Sequence, residues 1–323
     1  MHKYNKNMIL IAVLILLFTF YGISKAVNNL TKQNTYISKN YNGIKMKELS
    51  NEERHIIIDK GTEAPFTGEY NNHSEKGIYT CRQCEAALFY SDSKFKSECG
   101  WPSFDDAIPD AVAKTRDADG RRVEITCARC GGHLGHVFTG ERLTEKNTRY
   151  CVNSISMDFI PADKTETAIF ASGCFWGVQY HLQKIKGVYF SIVGYTGGTV
   201  TSPDYKQVCN NTTGHAEAVE IVFDPNQISY EELAKVYFET HDPTQVGGQG
   251  PDIGDQYRTE IFYTTESQKE TAQKLIDILK EKGYKVQTRL TKAVKFWPAE
   301  EYHQNYYNKT GKQPYCHVYQ KKF

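Results

Sequence analysis

The chain carries almost no net charge: Lys and Arg total 39 against 38 Asp and Glu over 323 residues, a formal +1. Without a large net field nothing gathers a phosphate backbone, so nucleic-acid binding is set aside. Cysteine is too scarce for a disulfide framework, with nine residues, an odd number, spread along the chain. Metal ligation or thiol reactivity is the better use for them. There is no internal repeat, since the two halves differ in cysteine usage and hydrophobic period. One long apolar run stands out, Met8 to Ile23, and as a helix it would reach about 24 Å, short of the ~30 Å hydrocarbon thickness. What is present suffices for packed cores: 40% of residues are apolar and 13% aromatic. At about 150 residues per domain the length favours two domains.

Lys3 and Lys6 precede the apolar run, and Ser24-Lys25-Ala26 follows it as a small-x-small site. Residues 1–26 therefore read as a signal peptide or a retained membrane anchor, and both stay open. Residues 27–45 are polar and form a linker. The catalytic part is expected outside the cytoplasm, in the cell envelope or anchored facing outward, with any membrane contact made by the N-terminal helix. Residues 46–162 form a first module, mostly β, with one amphipathic helix expected over Glu48–Lys60 and short strands such as Gly77–Thr80 and Val123–Thr126. A polar connector, Pro161 to Glu166, leads into a second module at 165–323, where strands alternate with helices in an α/β or α+β layer. There, a helix after Cys174 should bury Phe175, Val178, Leu182 and Ile185 and stop at Gly187. Ser229/Glu232 and Thr265/Gln268 mark two further helix starts.

Cys81-x2-Cys84 and Cys127-x2-Cys130 are matched pairs separated by 42 residues. A two-residue gap lets both sulfurs of a tight turn face one ion, and two such knuckles complete a tetrahedral thiolate site. Zinc in a structural role is the reading, with iron in a rubredoxin-like site the alternative.

The chemistry should lie with the remaining thiols. Cys174 sits in Gly-Cys-Phe-Trp-Gly between a buried strand candidate, Ala168–Ala171, and a helix start. The positive end of the helix and its free N–H groups should lower that thiol's pKa. Phe175 and Trp176 offer an apolar wall for a small group. Downstream, Glu217 opens an alternating strand, where burial would keep a carboxyl protonated. Asp252 and Tyr257 follow a glycine-rich stretch, and Cys316 lies near the C-terminus, where a mobile tail would bring a second thiol to the first. In the first module Cys151 stands in Arg149-Tyr150-Cys151-Val152-Asn153-Ser154, after His133 and His136, neighbours that should lower its pKa. Cys99-Gly100-Trp101-Pro102 adds another thiol and an aromatic face. Cys209 reads as structural or incidental.

These motifs resemble the methionine sulfoxide reductases. The first module is similar to the B type through its CxxC pairs, Cys99–Phe104, His133–Phe138 and Arg149–Ser154. The second is similar to the A type through Gly173–Gly177, Gly214-His215-Ala216-Glu217 and His241–Gln245. The resemblance implies reduction of methionine sulfoxide in oxidised proteins, the R epimer by the first module and the S epimer by the second. It makes Cys174 the nucleophile that becomes a sulfenic acid. Glu217 would be the proton donor, helped by Tyr205 and Tyr257, with Asp252 organising the site and Phe175 and Trp176 holding the methyl group. Cys316 would then close a disulfide. In the first module it implies attack by Cys151, Trp101 against the methyl group, and His133 and His136 handling the oxygen and its proton. Arg149 and Asn153 would organise that site, and Cys99 would resolve it. A separate thioredoxin-like donor is expected to reduce both disulfides.

The chain departs from the B-type pattern at Thr139-Gly140-Glu141, where an acidic pair is usual, leaving the acidic helper of His136 unassigned. Glu98 replaces the small residue usual before the Cys99 position. With one C-terminal cysteine, a two-step relay through the tail is not expected. Two other readings compete: a general thiol–disulfide oxidoreductase or thiol peroxidase with no epimer preference, and a zinc-binding module acting through protein contacts alone.

Overall fold

The computed structural model describes residues 46–117 and 120–323. The expected targeting helix and linker lie outside the described residues. Among the described residues no helix is long and apolar enough to cross a membrane.

The first helix spans Asn51–Ile57, shorter than the sequence predicts, because Ser50 caps it: the Ser50 hydroxyl accepts from the Glu53 N–H while the Glu53 carboxylate accepts from the Ser50 N–H. Short strands follow: β1 (Gly77–Cys81), β2 (Ala87–Tyr90), β3 (Lys94–Phe95), β4 (Ser103–Phe104), β5 (Val112–Arg116), β6 (Val123–Cys127), β7 (His133–Thr139), β8 (Thr148–Val152) and β9 (Met157–Pro161). They form an antiparallel three-stranded sheet, β2-β1-β9, and an antiparallel six-stranded sheet, β3-β4-β8-β7-β6-β5. Tyr79, Phe89 and Phe104 fill the space between them, with the Phe89 and Phe104 rings stacked at 4.3 Å.

A single 3₁₀ turn, Ala162–Lys164, joins the modules. The second module contains β10 (Glu166–Ser172), β11 (Val188–Thr196), β12 (Ala216–Phe223), the short hairpin β13 (Gly248–Gln249) and β14 (Asp252–Ile253), β15 (Thr259–Tyr263), β16 (Arg289–Lys292) and β17 (Trp297–Pro298). Its main sheet runs β16-β15-β10-β12-β11-β17 and is antiparallel except where β15 meets β16, so of the two layer types the sequence allows, α+β is formed. Alternation along the strands divides its faces. Ala168, Phe170, Val219, Ile221 and Phe223 point into a core with helices Phe175–Leu182, Tyr230–Glu239 and Glu266–Glu281. The helix after Cys174 stops at Leu182, and Ile185 reaches the same core from the turn beyond. Ser229 and Glu232 cap each other reciprocally, whereas Gln268 sends its side chain to Thr264 and Thr167, so the Thr265 cap is one-sided.

The opposite face is partly covered by the first module. Ile192 and Val222 cluster with Ile78, Ala87 and Ile108, and Tyr90 meets Phe190 edge to face at 5.6 Å. Asp110 receives hydrogen bonds from Lys309 at 2.7 Å and Asn305 at 3.2 Å. Residues 47–323 form one compact unit.

Candidate active sites and metal centre

Cys81, Cys84, Cys127 and Cys130 are all buried, and their sulfurs lie within 4.8 Å of one another. The Cys81–Cys130 and Cys84–Cys127 separations are both 3.6 Å, close to the ~3.8 Å edge of a tetrahedron with ~2.3 Å metal–sulfur bonds. The knuckles are built alike. Cys81 N–H bonds the Ala86 carbonyl and Glu85 N–H returns to Cys81; Cys127 N–H bonds the Gly132 carbonyl and Gly131 N–H returns to Cys127. Glu85 and Gly131 both take positive φ, which closes each turn. Four buried thiols gathered at tetrahedral spacing fit a structural zinc ion, to which they would contribute as thiolates.

Cys151 lies on β8 with Ser103 of β4 on one side and His136 of β7 on the other. Gly135 lets the strands approach, since a Cβ there would lie 2.1 Å from the Cys151 carbonyl oxygen at φ +149°. Cys99 stands 3.8 Å from Cys151, sulfur to sulfur. The Ser97 hydroxyl donates to the Cys99 sulfur at 3.0 Å. The two thiols share one charge. Hydrogen bonding from Cys151, with help from Ser103 and Ser97, pulls Cys99 down to about 4, while the Cys99 sulfur and burial push Cys151 up. This corrects the expectation that the histidines lower Cys151: the group that favours its thiolate is Arg149.

A cavity of about 130 Å³ opens onto Cys151, lined by Trp101, His136, Phe138 and Asn153 among others. Trp101 is fixed by its indole N–H on the Glu63 carbonyl at 2.9 Å, and Asn153 accepts the Glu63 N–H at 3.0 Å. His133 sits behind His136 and is buried on Glu124 at 2.8 Å; burial lowers its pKa. Arg149 makes a two-pronged ion pair with Glu141 at 2.8 and 2.9 Å. The departure at 139–141 thus supplies a partner for Arg149, and the acid beside His136 is Asp117, at 3.1 Å.

In the second module Cys174 caps the helix Phe175–Leu182, as expected. Its pKa is nevertheless raised, first by its hydrogen bond with Cys316 and then by burial, which together outweigh the Trp176 N–H. Glu217 is 1% exposed and accepts the Phe175 N–H at 3.1 Å. Burial, then the neighbouring Cys174, push its carboxyl well above the usual carboxylate range, favouring the protonated form. Tyr205 and Tyr257 are half-buried, and burial raises both, keeping their hydroxyls as donors. The Tyr315 hydroxyl donates to the Asp252 carboxylate, lying 3.1 and 3.2 Å from its two oxygens. Trp176 stacks on Tyr306 at 3.9 Å and donates to His303 at 3.2 Å.

The end of the tail is tied down: Lys322 and Phe323 donate their N–H groups to Glu239 at 2.9 and 3.1 Å, and Cys316 is placed next to Cys174. Cys209, expected to be structural or incidental, is half-buried beside the Tyr205 side chain. The sequence did not point to Asp117, Glu124 and Glu63 in the first module, nor in the second to His303, Tyr306 and Glu300, whose carboxylate accepts the Tyr205 N–H at 2.9 Å. The dense polar and aromatic run Glu300 to Tyr307 was the signal available for the last three.

Residues 166–323 match the family described as peptide methionine sulfoxide reductase, and residues 49–161 match the SelR domain. The second module is 50% identical to peptide methionine sulfoxide reductase MsrA of Nautilia profundicola over 149 residues, covering 46% of this chain and 86% of that one. The corresponding enzyme of Deinococcus radiodurans is 44% identical over 180 residues, covering 55% of this chain and 87% of the relative. The reduced form of Mxr1 from Saccharomyces cerevisiae is similar at 32% identity, covering 49% of this chain and 94% of that one, with a TM-score of 0.47. The chain belongs to the peptide methionine sulfoxide reductases. It is a fusion, with a SelR (B-type) reductase ahead of an A-type reductase. The first domain takes the R sulfoxide and the second the S sulfoxide, both through cysteine, which removes the competing oxidoreductase and binding-module readings.

Proposed function

We propose that Cys174 attacks the sulfur of the S sulfoxide while Glu217 protonates its oxygen. The observation that carries this is the buried Glu217, which accepts the N–H of Phe175, the residue after Cys174, and whose carboxyl burial pushes up. Glu217 gives its proton to the oxygen and regains one from the Cys174 thiol, so methionine leaves and a sulfenic acid remains. Tyr205 and Tyr257 donate to the same oxygen, Asp252 organises the site, and Phe175 and Trp176 seat the methyl group. Cys316 then forms the S–S bond, and water departs.

In the first domain Cys151 attacks the R sulfoxide, with Trp101 against the methyl group in the small cavity. His136 supplies the proton, His133 supports it from behind, and Arg149 and Asn153 organise the site. Arg149 favours the Cys151 thiolate in the step where it reacts. Cys99, 3.8 Å away, closes the disulfide. A thioredoxin-like dithiol outside the cytoplasm reduces both disulfides, since such bonds are not reduced there spontaneously. Lys3, Lys6 and the run Met8–Ile23 support that location, either as a cleaved signal or an anchor. Protease accessibility on intact and opened cells tests it.

The deciding experiment is epimer-resolved turnover by the full chain with dithiothreitol, beside Cys174→Ser and Cys151→Ser. The first variant should lose only the S epimer and the second only the R epimer. Loss of both epimers in either variant would overturn the division of roles.

A further inference from the structure

A hydrogen-bonded chain runs behind the second active site. His317 is 2% exposed; its Nε2 lies 2.8 Å from the Ser172 carbonyl oxygen and its Nδ1 3.0 Å from the Cys316 sulfur. A carbonyl oxygen can only accept, so in the neutral ring Nε2 carries the proton and the Nδ1 lone pair faces the Cys316 S–H. Cys316 in turn neighbours Cys174, whose thiol it pushes up. Ser172 precedes Cys174 by two residues, so the strand that delivers the nucleophile also sets the tautomer of this imidazole.

The ring is held in a fitted slot. Gly177 makes room for it: a Cβ there would lie 2.2 Å from Nδ1. Gln249 packs beside Gly173 on the same side. Behind the ring, the His181 imidazole hydrogen-bonds the His317 carbonyl at 3.0 Å, and the Gln320 N–H reaches the Glu239 carbonyl at 2.7 Å.

We propose that His317 accepts the proton of Cys316 when the disulfide of the second site forms. This rests on the reading of Cys174 as nucleophile and Cys316 as its resolving partner. As the Cys316 sulfur bonds to the sulfur of the Cys174 sulfenic acid, the S–O bond breaks. The thiol proton passes to Nδ1 and then to the departing hydroxide, which leaves as water. The Cys316 sulfur is oxidised and the Cys174 sulfur reduced, so no outside oxidant enters. The titratable groups facing the ring are Cys316, Cys174 and Asp252, together with His181 and His241. Burial lowers His317 to about 4, with Ser172 and Asp252 acting the other way, so Nδ1 remains an acceptor over the mildly acidic and neutral range. The resolving thiol then gives up its proton as it attacks.

The test is a single turnover of the full chain with the S epimer alone and no reductant, following methionine release, trapped sulfenic acid and disulfide formation from about pH 5.5 to 8. His317→Gln retains a donor for Ser172 but no acceptor beside Cys316. His317→Asn retains an oxygen near Nδ1 that accepts a hydrogen bond but does not take a proton. Wild-type disulfide formation should be nearly flat across this range. Both variants should release the first methionine normally, accumulate sulfenic acid, and form the disulfide about 100-fold more slowly at pH 7. Their rates should rise about tenfold per pH unit, following thiol ionisation. A wild-type rate that itself climbs about tenfold per unit overturns the proposal, whether or not the variants fold. So do variants with wild-type disulfide rates, or variants that lose the first methionine. Wild type that releases no methionine would instead sink the underlying assignment of Cys174.

Discussion

His136 Nε2 lies 3.1 Å from an Asp117 carboxylate oxygen, although Asp117 follows β5 and His136 stands on β7, two strands away. A carboxylate oxygen only accepts, so this contact places a proton on Nε2 and fixes the orientation of the ring. Asp117→Asn should lower R-epimer turnover about tenfold, the worth of roughly one charge-assisted hydrogen bond. S-epimer turnover by the same protein should not change. Equal loss of both activities would show a folding defect instead.

The four buried thiols predict one tightly held zinc per chain. Cys127→Ser should abolish it by metal analysis and take R-epimer activity with it, because the metal joins β1 to β6 across the first domain. S-epimer activity should stay within about threefold, since Cys174 and Glu217 lie in the other core. A variant that keeps both its zinc and its R activity would remove the structural role.

Glu217 makes a signed prediction about pH. Its folded carboxyl holds a proton that the unfolded chain releases near the ordinary carboxylate pKa, so above that pH the native state binds more protons and stability falls as pH rises. Glu217→Gln removes this liability. Urea unfolding should show no advantage for the variant below about pH 4 and a growing advantage as pH rises above it. S-epimer turnover should fall about 100-fold or more with the general acid gone. A stability difference independent of pH would mean that Glu217 is ionised when folded.

Asp110 links the two domains at a place that matters to one of them. It accepts from Asn305 and Lys309, while Asn305 also donates its backbone N–H to the Gln179 side-chain oxygen and precedes Tyr306, the ring stacked on Trp176. Asp110→Ala should raise KM for the S epimer by about two- to fivefold, the range of one partly exposed ion pair, with little change in kcat. The R-epimer constants should be unaffected. A shift confined to kcat would place the effect elsewhere than in the aromatic wall.

Cys81-x2-Cys84 and Cys127-x2-Cys130 were readable along the chain because each knuckle closes within six residues, by its own backbone bonds. Gly-Cys-Phe-Trp-Gly was readable because a strand end, a positive-φ glycine and a helix cap are all local. The ionisation of Cys174 and Cys151 was not. A cap lowers a thiol's pKa in isolation, but here a second sulfur and burial act on each of them, and both come from distant segments.

Local spacing therefore determined the metal knuckles, the two cysteine motifs, the aromatic residues beside them and the order of the domains, since each depends on residues a few positions apart. Tertiary structure alone decided that Glu141 belongs to Arg149 and Asp117 to His136, that Asp110 reaches the second domain, and that the tail pins Cys316 between Cys174 and His317. Those pairings follow from which strands lie side by side and which groups are shut off from water. Neither is a property of neighbouring residues in the chain.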